Sequence, residues 1–382
     1  MDKQLKQSDN HKAILQSPRL YAEPCRKKVL IGIFYRNGVW DERPETCGIS
    51  YAVDGLLFER LCDLGLDVQA TTNYGFSEFI ISTTSKRCLD DLNLARQTLL
   101  DTNFDPDDFD DWQSYMVGKS PLNKWEYAYD RQRFPGTRLE FPIRGTSTHI
   151  GQLTLEMASF WRKCYVAKSQ MFFCITGALT DTIKQTFLNT PELMWLPTNP
   201  ITPLSKRFPS TELNTANKAS GMVLSYPCMD NQPDLIQFEA FCELIKICIR
   251  PTLDLYSAEV DLPMFVMDPV PELRIKFNCS IQDASAMAHK VRADIAACLE
   301  QLNDQNLQFI RKELKDCYST IKKNPYEWIH FVGWNTVMGP WCNVDELYVA
   351  PHYFDNITGE RIRYAFAALN CCQGGHVFFL NT

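Results

Sequence analysis

Apolar positions along the chain fall into two spacings. KKVLIGIFYRNG holds a continuous apolar run closed by Asn-Gly and reads as a buried strand. Beyond it, Val53, Leu56, Leu57, Leu61 and Leu64 recur at helical spacing and predict a helix from about Ser50 to Leu64. A short polar strand near DVQATTNY and an alternating one in FSEFIISTTS follow, then helices in CLDDLNLARQTLLDT and in the acid-started DPDDFDDWQSYMV. The acids of the latter sit where a helix N-terminus favours negative charge. Gly118 to Arg144 keeps no sustained period and reads as a loose aromatic segment; its NKWEYAYDRQRF is either a binding surface or a packed lid. A helix in IGQLTLEMASFWRKCYV and a buried strand in SQMFFCITGAL complete the first half.

The second half runs through the same order. SGMVLSYPC reads as a strand, DLIQFEAFCELIKICI as a helix and ELRIKFNCSI as a strand. ASAMAHKVRADIAACLEQL and NLQFIRKELKDCYSTIKK read as two helices, and ERIRYAFAALN followed by GGHVFFLNT as helix and final strand. Two passes through so many elements in similar lengths indicate a tandem repeat. The class is therefore α/β, in the broad sense α+β, with two similar domains. PTNPITPLSKRFPSTELNTANKAS has linker composition. The expected divisions are a flexible arm over 1–26, a first domain over 27–200, a linker over 201–218 and a second domain over 219–382.

Composition removes several classes of function. A net charge of −7 disfavours a nucleic-acid surface. No apolar run reaches membrane-spanning length, and the polar N-terminus lacks the apolar core of a signal peptide, so the expectation is a cytoplasmic protein without a membrane span. The 15 cysteines form no Cys-x-x-Cys pair and sit mostly among apolar neighbours, as buried small residues would. The six histidines include no pair at helical ligand spacing, so no local segment builds a histidine metal site. Cys47, just ahead of the first helix, is either a loop thiol or a nucleophile activated by the helix N-terminus.

Taken in order, GIFYRNGVWDERPETCGISYAVDGLLFER, DVQATTNYGFSEFII, TSTHIGQLTLEMASFWRKCYVAKSQMFFCITGAL, NPYEWIHFVGW and FDNITGERIRYAFAALN resemble the pitrilysin or insulinase type of zinc peptidase. These inverzincins carry His-x-x-Glu-His on the first helix. The resemblance runs from about Lys27 to the C-terminus. It implies that each domain is a mixed, mainly antiparallel sheet covered by helices, and that the two together form half of a four-domain clamshell.

The signature itself is missing. In register, Tyr51 and Gly55 stand at the two histidine positions, Asp54 at the catalytic glutamate and Lys119 at the third ligand. In the second domain Arg250 matches a structural arginine, but Tyr256 falls at the substrate-binding arginine, and Pro263 or Phe265 at its tyrosine partner. Zinc needs about three protein ligands with lone pairs, and the metal is what acidifies water. The chain is thus expected to hold no cofactor and to do no catalysis. Family members bind substrate as an added strand along a segment that resembles QATT here, Gln69, Ala70, Thr71 and Thr72; an edge strand kept polar for solubility would look the same.

The resemblance implies a non-catalytic subunit of a heterodimeric zinc peptidase. It would close the chamber and help bind a precursor or modified peptide for maturation, as in natural-product pathways, while a homologous partner holds the zinc. Two readings compete with it: a stand-alone peptide-binding or chaperone-like protein, and an enzyme with new chemistry at Cys47 or Asp54. Metal analysis of the purified chain after zinc loading is expected to give far less than one equivalent; one tightly held zinc per chain contradicts the reading of the ligand positions.

Overall fold

The computed structural model describes residues 19–22, 27–119, 124–167, 171–193, 221–227, 240–245, 259–261, 272–277, 281–338, 353–369 and 376–380. The chain forms two compact units: 1–120 with 143–201 and 320–349, and 121–142 with 202–319 and 350–382. The linker expected over 201–218 lies outside the described residues.

The first unit holds a five-stranded sheet of β1 (Leu20–Ala22), β2 (Val29–Tyr35), β3 (Asp67–Thr72), β4 (Ser77–Thr83) and β5 (Met171–Gly177) in the order β1-β5-β2-β4-β3. β1 runs parallel to β5, and every other pairing is antiparallel. β2, β4 and β5 are buried at every position, as expected of strands covered on both faces. β3, at the edge, is largely exposed. On one face Ile31, Ile33, Tyr35, Phe79, Ile81, Phe173 and Ile175 join a core with three helices, α1 (Ile49–Asp63), α2 (Cys88–Asp101) and α3 (Pro106–Val117).

Of the expected loose arm over 1–26, residues 19–22 depart from that reading. Leu20–Ala22 is β1, and the Arg19 guanidinium donates to the carbonyls of Phe173 and Leu193 at 3.2 and 2.8 Å. A three-residue strand is too short to show a period, yet it pairs the buried outer side of β5.

The aromatic segment is also ordered differently. Lys124–Arg133 is a helix, α4, in keeping with its Lys, Glu, Ala, Gln and Arg content and with Pro135 beyond its end. The expected helix in IGQLTLEMASFWRKCYV is two, α5 (Ser147–Gln152) and α6 (Leu155–Trp161). They are parted by extended backbone at Leu153 and Thr154, whose hydroxyl accepts from the Met157 amide. A further helix, α7 (Asp181–Asn189), follows β5.

The second unit repeats the plan. Its strands β6 (Gly221–Pro227), β7 (Glu259–Asp261), β8 (Glu272–Phe277) and β9 (His376–Leu380) lie antiparallel in the order β7-β8-β6-β9. Replacing β6, β7, β8 and β9 by β2, β3, β4 and β5 gives the order of the first sheet without β1. The second half adds α8 (Ile281–Glu300), α9 (Asp304–Lys323), α10 (Pro325–Met338) and α11 (Gly359–Leu369). A stretch at 240–245 is helical as well.

The units do not follow the expected boundaries at 27–200 and 219–382, because each takes one helix from the other half of the sequence. α4 belongs to the second unit and packs on β9, with the Arg274 guanidinium of β8 over the Tyr129 ring at 4.6 Å. α10 belongs to the first and packs on β2 and β5. It covers the face of β2 that the main core leaves bare: Cβ atoms at Gly32 and Gly333 would lie 2.5 Å from the Ile329 side chain and 2.0 Å from the Phe34 ring. His330 of α10 bonds Glu78 of β4 at 2.5 Å. Burial opposes charge on His330, but the hydrogen bond and charge of Glu78 prevail and raise its pKa.

Gly333→Ala tests this packing. Alanine favours a helix by roughly 1 kcal/mol over glycine. The new methyl, however, meets a fully buried ring, and overpacking typically costs about 1–3 kcal/mol or more. A lower thermal midpoint is expected, and a higher one would show that α10 is not seated this closely.

Candidate functional site

The first helix starts under close constraint. Gly48 has φ +92°, and a Cβ there would lie 2.5 Å from the Arg144 carbonyl oxygen. The Glu42 carboxylate accepts the Gly48 and Ser50 amides at 2.8 and 2.9 Å, satisfying donors that a helix N-terminus leaves open. α1 is thereby held with Tyr51, Asp54, Gly55, Phe58 and Glu59 along one side, at the i, i+3, i+4, i+7 and i+8 positions.

Asp54 lies beneath that surface, 2% exposed. One carboxylate oxygen accepts from the Tyr35 hydroxyl, and the other accepts from Thr72 Oγ1 and Ser77 Oγ at 2.6 Å each. The three donors belong to the adjoining ends of β2, β3 and β4, so the carboxylate fastens α1 to three strands at one point. Burial lifts its pKa from 3.8 to about 6 against the opposing hydroxyl bonds, with Glu42 adding repulsion. The Tyr35 phenol is driven upward by the same burial and by the Asp54 charge. A raised carboxyl pKa often marks a general base. Here the carboxylate is engaged by its three donors and offers almost no surface.

Above Asp54 a cavity of about 370 Å³ is lined by α1, by Ala70, Thr71 and Thr72 of β3, and by Trp112, Tyr115, Met116 and Lys119 in and just past α3. The structure thus gathers Tyr51, Asp54, Gly55 and Lys119 around one space beside the edge strand. Of the four expected strand-addition residues, Ala70, Thr71 and Thr72 line it, and Gln69 is exposed outside it. Trp112 fills the room beside Gly55: a Cβ at Gly55 would lie 2.7 Å from its Nε1, and its ring sits 6.5 Å from that of Tyr51. The Lys119 ammonium stands over the Tyr115 ring at 4.0 Å.

Cys47 is fully buried, which removes it as a nucleophile. Arg250, Tyr256, Pro263 and Phe265 lie outside the described residues. Reading the sequence alone overlooked Trp112, Tyr115 and Met116. Their spacing with Lys119 marks one helix face, but nothing in the sequence says that this face looks onto α1.

No family model and no curated protein matches the sequence. Solved structures do match. A protease from Helicobacter pylori superposes with a TM-score of 0.69 at 15% identity, over 95% of this chain and 97% of that one. The inactive domain of an M16 peptidase from Pseudomonas fluorescens gives 0.68 at 12% identity over 94% of each chain. The chain has the M16, pitrilysin-type, peptidase fold. It also superposes on the periplasmic protease PqqL of Escherichia coli, with a TM-score of 0.68 at 11% identity, 94% of this chain matching 44% of that longer one. At such identities the likeness is one of fold.

The residues around the cavity do not fit a zinc ion. Gly55 offers no donor, and Trp112 occupies the room where one would stand. Lys119 brings a positive charge, and the Asp54 oxygens are engaged by Tyr35, Thr72 and Ser77. Tyr51 and Glu59 remain, and among the described residues no group of three or more histidine, cysteine, aspartate or glutamate side chains is placed to hold a metal.

Asp54 gives this site a pH signature. Its folded pKa of about 6 exceeds the ordinary 3.8, so the folded state keeps its proton to higher pH than the unfolded chain. The stability it contributes is fully present below about pH 4 and is lost as pH rises through about 6. At about 1.4 kcal/mol per pKa unit the loss is on the order of 3 kcal/mol. Asp54→Asn cannot titrate. The stability difference between the unaltered chain and this variant, from denaturant unfolding at pH 4.5 and 7.5, is expected to shift against the unaltered chain at the higher pH. A difference independent of pH would place the Asp54 pKa near its ordinary value.

Proposed function

We propose that this protein is a non-catalytic, peptide-binding member of the M16 fold that serves as the partner of a homologous zinc peptidase. One observation carries the reading: Tyr51, Asp54, Gly55 and Lys119 converge on a cavity whose lining is a poor fit to zinc, and that cavity lies along the edge strand β3. An extended peptide can add to such an edge through backbone hydrogen bonds, which tolerate change of side chain. The likeness to an M16 domain described as inactive supports a scaffold kept without catalysis. The match to less than half of PqqL, a single longer chain, supports a second half supplied from elsewhere.

In this role the chain binds a precursor or modified peptide during its maturation, and a partner bearing an intact His-x-x-Glu-His cleaves it. Among the described residues no helix is long and apolar enough to cross a membrane. Stable subunit contacts usually bury more than about 1,200 Å² in total.

Co-expression with a homologue that carries the intact motif, followed by size-exclusion chromatography and a cleavage assay, tests the reading. Co-elution, and cleavage that falls at least tenfold when this chain is left out, are expected. Separate elution with undiminished cleavage by the homologue alone overturns the subunit role. Peptide binding by the isolated chain, abolished by N-methylation of alternate peptide amides, would then identify a stand-alone binding protein.

A further inference from the structure

The cavity is neither uniformly apolar nor evenly charged. Tyr51, Phe58, Trp112, Tyr115 and Met116 give it an aromatic and apolar middle. At 370 Å³ it exceeds twice the roughly 150 Å³ that suffices to hold a benzene ring in an apolar protein cavity. Of its three carboxylate or ammonium lining side chains, Asp54 is engaged by Tyr35, Thr72 and Ser77, and the other two, Lys119 and Glu59, differ in their surroundings. Lys119 stands one residue past the C-cap of α3 and makes no ion pair among the described residues; its ammonium rests on the Tyr115 ring. Glu59 belongs to the last turns of α1, and burial together with the charges of Asp108, Asp63 and Asp111 raises its pKa. Asp108 and Asp111 lie in the first half of α3, and Lys119 lies beyond its last turn. The cavity therefore has an acidic end and a basic end.

Tyr51 and Glu59, eight residues apart on α1, are separated by about 12 Å along the helix axis. An extended chain covers that length in about four residues at roughly 3.3 Å each, and its side chains at i, i+2 and i+4 share one face. Three such side chains match the three zones of the cavity in number, over a length comparable to that of the α1 wall.

We infer that this cavity is a specificity site for an extended peptide carrying a basic residue, an aromatic residue and a carboxylate at i, i+2 and i+4, in either chain direction. The aromatic ring enters the space between Tyr51, Phe58 and Trp112. The basic group faces Glu59 with its acidic neighbours, and the carboxylate faces Lys119. The inference rests on the proposed addition of peptide to β3, whose Ala70, Thr71 and Thr72 form one wall of the same cavity. The carboxylate is either an acidic side chain or the end of the peptide.

Isothermal titration with capped heptapeptides tests it. Two peptides of the same composition carry Arg-Val-Trp-Thr-Glu and Glu-Thr-Trp-Val-Arg between the same flanking residues. A third replaces Trp by Ala, a fourth is N-methylated at alternate amides, and a fifth ends on a free carboxylate in place of Glu. One charge order is expected to bind at least tenfold more tightly than the other, and Trp to Ala to cost at least tenfold. The double variant Glu59→Lys/Lys119→Glu, at two exposed positions, is expected to invert the preferred order. Tyr115→Ala, which removes a 63% exposed ring, is expected to weaken binding several-fold. Retained affinity of the fifth peptide identifies a chain terminus as the carboxylate, and its loss identifies an acidic side chain. Equal binding of both orders and of the Trp-free peptide, with loss only on N-methylation, overturns this inference and leaves strand addition standing. No binding by any peptide overturns both.

Discussion

The seating of α10 on the first sheet is the constraint from which much of this architecture follows. β2, β4 and β5 are apolar on both faces, and the core of α1, α2 and α3 covers only one. The other face needs a helix at very close range, which Gly32 and Gly333 permit by presenting no side chain where Ile329 and the Phe34 ring lie. That helix comes from residues 325–338, on the far side of the repeat, while α4 from the first half goes to the second unit. The repeat is thus complete in sequence order but reciprocal in space. α4 and α10 occupy the same place in the two passes, each as the third helix after a pair.

With both faces covered, the ends of β2, β3 and β4 are rigid enough to be gathered by one side chain. Asp54 joins them to α1 through Tyr35, Thr72 and Ser77. A buried carboxylate is expensive unless its acceptors are filled, and breaking such a cluster by removing a partner costs more than the cluster contributes in isolation. Asp54 is thus a clamp between α1 and the sheet. Its raised pKa is a consequence of burial rather than of readiness to react.

Beside that clamp lies a shaped space. Trp112 on Gly55, Tyr51 beside it and Lys119 over Tyr115 form its walls. The strand that borders this space, β3, is the edge of the sheet, and an edge strand is where backbone groups are left to pair.

Much of this was legible in the residues, because strand and helix periodicity are local. The run at Val29–Tyr35, the helix beginning near Ser50, the paired helices and the repeat order all follow from spacing of apolar residues over a few turns or strands. The donor chemistry of Tyr51, Gly55 and Lys119 was legible too, because it is a property of the side chain. What the residues alone did not determine is which surfaces meet. β1 is too short to carry a period, and α4, with alternating aromatics and charges, resembled a loop because its apolar side had no visible partner. The exchange of α4 and α10, the three hydroxyls on Asp54 and the facing of Trp112 onto Gly55 join residues from 18 to 252 positions apart in the chain when α10 is counted through its Glu78–His330 bond. Contacts at that range are fixed by how whole elements fill space against one another, and only the tertiary structure decides them.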